Sequence, residues 1–154
     1  MADASPSRRI SKSSMAYMNQ ERKAKLSPAI KAHCRKFGIK ATIGVRHHST
    51  LVVNIKSGKL DLCQNAFDTQ APVYSHKYPH HPAPQRKDFD HIQVNPYWAH
   101  EHFTGKCREF IVGLLDLMNI GNHDNSDIQT DYFDVGWYRD VNIGAWNKPY
   151  QVIK

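Results

Sequence analysis

The hydrophobic period of this chain changes at Gly38. Before it, Leu26, Ile30, His33/Cys34 and Phe37 recur at helical spacing. After it, Ile43 and Val45, and then Leu51, Val53 and Ile55, alternate with other residues. A 3.6-residue period lays an apolar stripe along a helix, and a two-residue period gives a strand one apolar face. The chain must therefore set a helix beside a pair of strands. Ser27 is a good N-cap, Pro28 suits a first helical position and Gly38 is a natural stop. A further helix is predicted from Ser14 to Lys25. The strands Thr42–Arg46 and Thr50–Lys56 are joined by His47-His48-Ser49, short enough for a hairpin. Their outward residues are Thr42, Arg46, Asn54 and Lys56, with Val52 the apolar exception. Ser57-Gly58 reads as a turn into a third strand, Lys59-Leu60-Asp61-Leu62.

Residues 64–90 contain Pro72, Pro79, Pro82 and Pro84 and read as an irregular His/Pro-rich loop. A short strand, His91–Val94, follows. The next helix is predicted from Thr104 to Asn119, with Cys107, Phe110/Ile111, Leu114 and Leu117/Met118 as its stripe and Gly121 as its end. Residues 122–131 are polar and acidic, and the last strand is predicted over Tyr132–Ile143. Residues 1–13 read as a flexible basic arm, and 14–154 as a single domain. The element order predicts a two-layer α+β fold: a mostly antiparallel sheet with helices packed on one face. The strand–helix alternation of a nucleotide-binding sheet is absent. No apolar run approaches the length of a membrane span, and the opening residues lack the apolar core of a secretory signal.

Charge is distributed unevenly. Residues 1–60 hold thirteen Lys/Arg against two Asp/Glu, while residues 100–154 hold five against eight; the whole chain carries +7. A lopsided field of this kind points to an anionic partner, above all nucleic acid. Lys31, Arg35 and Lys36 on the helix and Arg46 and Lys56 on the hairpin are the predicted phosphate contacts, with Arg8 and Arg9 on the arm assisting. No paired Cys/His finger, RNP signature or G-x-x-G clamp accompanies them. The plain alternative is a solvated cationic face that keeps the protein soluble.

Other clusters suggest other chemistry. His100-Glu101-His102 on a strand would turn both imidazoles to one side. Zinc or another divalent metal could then bind, with His80, His81 or His91 as a third ligand. A metal-dependent nuclease is the corresponding activity. The spacing of Asp124, Asp127, Asp131 and Asp134 does not fit an EF-hand loop and reads as turns and caps. Tyr132, Phe133, Trp137, Tyr138, Trp146 and Tyr150, with Tyr97 and Trp98 upstream, read mainly as core or sheet surface. An exposed subset beside the acids, namely Asp127, Asp131, Tyr132, Phe133 and Trp137, is the candidate surface for a host protein. Cys34, Cys63 and Cys107 show no C-x-x-C spacing and read as buried free thiols in a reducing cytoplasm. No G-x-S-x-G elbow or phosphate-cradling Gly loop is present, so no catalytic residue or cofactor is assigned.

Four segments carry a resemblance. Met15–Ala32, His48–Lys59, Gly121–Tyr138 and Val141–Tyr150 resemble small proteins encoded by bacteriophages and plasmids. The helix–hairpin half also resembles a domain associated with large polyvalent proteins of mobile elements. The resemblance implies a mobile-element accessory protein acting in the cytoplasm of a bacterial host cell. With the basic face, the predicted role is nucleic-acid binding used in counter-defence or in DNA or RNA handling. A protein-binding inhibitor of a host complex is the alternative role. The resemblance carries no catalytic residue with it.

Overall fold

The first helix, α1, spans Gln20–Lys36 in the computed structural model, which describes residues 16–122 and 136–153. The two helices predicted on either side of Leu26 are one. Asn19, not Ser27, is the cap: its side chain accepts from the Arg22 N–H at 2.8 Å. Pro28 lies inside the helix, where it removes one backbone donor. Ser27 is buried, and its hydroxyl donates to the Lys23 carbonyl at 2.7 Å. Leu26, Ile30 and Cys34 keep one apolar stripe running past the proline. That continuous burial outweighs the single missing hydrogen bond.

Gly38, at a φ of +69°, turns the chain back along α1. Two strands follow, β1 (Ile39–Arg46) and β2 (Thr50–Gly58), paired antiparallel with a register shift between Lys40 and Ala41. The loop between them is His47-His48-Ser49, as predicted, with Arg46 registered opposite Thr50. His47 and His48 are both at a φ of +54°, and Ser49 N–H donates to the Arg46 carbonyl. Left-handed residues suit the tight hairpin connection that three residues allow.

The structure corrects the reading of the next segment. Lys59–Asp61 is not a strand; Asp61 caps a second helix, α2 (Leu62–Lys77), by accepting from the Gln64 N–H at 3.2 Å. The loop predicted over residues 64–90 is thus helical to Lys77, with Pro72 inside. Only Leu62, Cys63 and Ala66 of α2 are buried. Its apolar stripe ends before the proline, which is why periodicity did not reveal it. A short 3-10 turn (Arg86–Phe89) leads to β3 (Ile92–Val94), a single turn of helix α3 (Ala99–His102) and the long α4 (Gly105–Met118). The last strands are β4 (Tyr138–Ile143) and the two-residue β5 (Gln151–Val152).

The fold is α+β, with a sheet in the order β1-β2-β4-β3 and β5 against the end of β2. The β1–β2 and β3–β4 pairs are antiparallel, whereas β4 and β5 run parallel to β2. The parallel β2–β4 pair needs the long excursion through α2, α3 and α4 that separates these strands in sequence. The helix α1 packs on β1 and on α4. Leu51, Val53, Ile55, Val94, Val141 and Ile143 of the sheet meet Ile30, Phe110, Ile111, Leu114 and Met118 in one core.

The other side of the sheet is polar. Thr42, Asn54, Asn142 and Gln93 occupy adjacent positions across all four main strands. No described helix is long and apolar enough to cross a membrane.

Candidate nucleic-acid interface

The register of α1 against the sheet edge decides which cations meet. Lys31 and Arg35 are four residues apart and so share a helix face. On the edge strand, Lys40 lies just before the register shift and Thr42 just after it. Together with Lys56 of β2 they line a groove of about 420 Å³ between α1 and β1, whose apolar lining includes Ile30, Cys34, Ile39 and Ile43. All four cations are exposed. None shares a salt bridge with a described residue. Further along α1, Lys23 extends its ammonium toward the Ile43 carbonyl at 3.5 Å, so the free edge of β1 is partly covered by a cation. Four neighbouring positive charges without carboxylate partners among the described residues create a local potential that a polyanion relieves.

Two predicted contacts behave differently. Lys36 lies outside the groove lining, its ammonium 5.6 Å from the centre of the Phe37 ring. Arg46 lies at the far end of β1 and is bound within the protein: its guanidinium donates to Asp140 at 2.6 Å. Asp140 also accepts from Gln93 at 3.1 Å and Asn142 at 3.2 Å. Burial pushes the Asp140 carboxyl up. The hydrogen bonds from Gln93, Arg46 and Asn142 and the charge of Arg46 overcome that effect and hold it below the usual carboxylate range. The pair spans β2, and Val52, registered between Gly44 and Asp140, is buried there. This explains the apolar exception among the outward residues of the hairpin. Arg8 and Arg9 lie outside the described residues.

The metal reading loses its geometric basis. His100 and His102 lie on the helical turn α3, not on a strand. Two residues in a helix are separated by about 200° around the axis, so the rings do not share a face. His100 sits 3.5 Å from Glu101, and burial holds the pKa of His102 below that of an ordinary histidine. Among the described residues no three His, Cys, Asp or Glu side chains are grouped to hold an ion.

Of the alternative protein-binding set, Asp127, Asp131, Tyr132 and Phe133 lie outside the described residues, as do Asp124 and Asp134. Trp137 is buried rather than exposed, and its indole N–H donates to the Met118 carbonyl at 2.9 Å, closing the end of α4. It is a packing residue and offers no surface anchor. Of the other aromatic residues, Tyr150 is buried and Tyr138 is exposed on β4, in keeping with core or sheet surface, whereas Tyr97, Trp98 and Trp146 are exposed outside the strands. The three cysteines are buried free thiols, and burial raises the pKa of each, Cys63 and Cys107 to about 11.

Sequence reasoning missed the groove as an object. Lys40 and Thr42 were not among the predicted contacts, although Lys40 stood in the same run of cations. The signal available was the Gly38 stop, which returns the chain along α1. No family model, curated protein or solved structure matches the chain.

Proposed function

We propose that the chain binds nucleic acid through the α1–β1 groove, with Lys31, Arg35, Lys40 and Lys56 contacting phosphates. The carrying observation is that these four exposed cations converge on one groove without a carboxylate partner among the described residues. A merely solubilising charge would need no such convergence. The apolar lining between the cations supplies a low-dielectric wall against which each charge acts more strongly than in open water. The contacts are to backbone, so binding is expected to be largely independent of sequence. The corresponding use is an accessory role in nucleic-acid handling or counter-defence inside a bacterial host.

Fluorescence anisotropy with labelled duplex DNA, single-stranded DNA and RNA at several salt concentrations tests this reading. Four phosphate contacts predict a log–log salt slope of roughly −3 to −4 on duplex and shallower on single strands. Absence of binding to all three at low salt would end it.

A further inference from the structure

A second concavity, of about 300 Å³, opens between α2, the 3-10 turn and α3, and the groove does not use it. Tyr74, Tyr78, Phe89 and Trp98 line it, together with Lys77, Glu101 and His102. Trp98, Tyr74 and Tyr78 are 52%, 39% and 38% exposed, so aromatic surface faces solvent here. The two tyrosine rings and Phe89 are held by ring neighbours. Tyr74 and Tyr78 have centroids 4.9 Å apart, and Tyr78 lies 5.3 Å from the ring of His81. Phe89 is pinned edge-on to Phe67 at 5.7 Å.

The polar groups narrow the choice of ligand. One ammonium, Lys77, lies 5.6 Å from the centre of the Tyr78 ring, and one carboxylate, Glu101, belongs to α3. A free organic cation would meet the Lys77 charge at a ring already facing an ammonium. A hydrocarbon chain would have to desolvate both ionic groups without replacing their hydrogen bonds. A planar heteroaromatic ring avoids both penalties, because it stacks on the rings and offers N–H donors at its edge. A phosphate attached to it suits the ammonium.

We propose that this pocket takes one unstacked nucleobase, stacked on Trp98 and the tyrosines, with an amino-bearing edge on Glu101 and the adjoining phosphate on Lys77. The base comes either from a free nucleotide or from a single strand; only the second source rests on the groove reading above. Guanine presents two N–H groups side by side to a carboxylate, and adenine and cytosine present one amino group. Uracil presents a single N–H flanked by two carbonyls, which repel Glu101. Burial lowers the pKa of His102, which disfavours a second positive charge beside Lys77.

Isothermal titration calorimetry of the full chain with GMP, AMP, CMP and UMP is the test, followed by a short single-stranded oligonucleotide. GMP is expected to bind about tenfold or more tighter than UMP, the discrimination typical of a bidentate edge contact. Glu101→Gln should bring the two within about threefold, because the carboxylate supplies that difference. Trp98→Ala should weaken GMP about tenfold and Trp98→Phe should preserve most of the affinity, which separates lost stacking from a damaged fold. No saturable heat with any mononucleotide at millimolar concentration would overturn the pocket, as would wild-type affinity in Trp98→Ala. The two readings fail separately. Oligonucleotide binding that depends on Lys31 and Arg35, without any mononucleotide binding, leaves the groove and removes the pocket. GMP binding without oligonucleotide binding removes the groove and leaves a free-nucleotide pocket. If Trp98→Ala weakens the oligonucleotide as well as GMP, the base comes from a strand.

Discussion

The α1–β1 groove and the outer face of the sheet both draw cations from the same charge-rich segment, yet they use them oppositely. In the groove, Arg35 shares no salt bridge with a described residue and remains available to a partner. On the outer face, Arg46 donates to Asp140, a carboxylate only 6% exposed that also accepts from Gln93 and Asn142. A buried carboxylate with several donors is costly to leave unpaired, so it holds the guanidinium in place. Positive charge counted on a sequence is therefore not the same as positive charge available for binding.

The largest expected effect is on the closed side. Asp140→Ala leaves Gln93, Asn142 and Arg46 without their common acceptor and should lower stability by about 2–3 kcal/mol in chemical denaturation. The sign of the pH dependence follows from the depressed pKa. Asp140 contributes stability above the ordinary aspartate value of about 3.9, and loses it as pH falls through its lower folded value. Asp140→Asn should flatten that part of the acid limb. If both variants unfold like the wild type at every pH, the contrast between the two faces fails.

Next in size is the open side. Lys31→Glu with Arg35→Glu replaces two attractions by two repulsions and should weaken nucleic-acid binding by about 10²-fold or more at low salt. Melting should stay close to wild type, since exposed unpaired cations add little to stability. A smaller change sharpens the comparison. Lys56→Ala should reduce the magnitude of the salt slope by about one on duplex DNA, whereas Arg46→Ala should leave the slope unchanged. An equal loss of slope in both would show that Arg46 contacts phosphate despite Asp140. The smallest effect concerns the thiols. Cys63 and Cys107, raised to about 11, should react with a thiol reagent only as fast as the protein unfolds, and more slowly with nucleic acid bound, because binding to the folded state suppresses unfolding.

The helix–hairpin half was readable because its signals are local. The change of period at Gly38, the stripe of Leu26, Ile30 and Cys34, and the alternation in β2 each span a few residues and reappear in the structure. The same local logic misplaced the start of α1, because Ser27-Pro28 looks like a helix entrance. It also hid α2, because a proline follows a stripe only five residues long. With α2 unread, the aromatic pocket could not be anticipated, since Tyr74 and Tyr78 were assigned to a loop.

By itself the sequence determined where apolar stripes lie, the α+β class and the concentration of cations ahead of residue 60, since each depends on neighbours in the chain. Which cations have no salt bridge among the described residues was decided only by tertiary structure. Arg46 and Asp140 are 94 residues apart and meet because β4 is laid parallel to β2. Lys31, Arg35, Lys40 and Lys56 meet because Gly38 folds β1 back along α1. Pairing and convergence are properties of positions in space, and a burial pattern along the chain does not encode them.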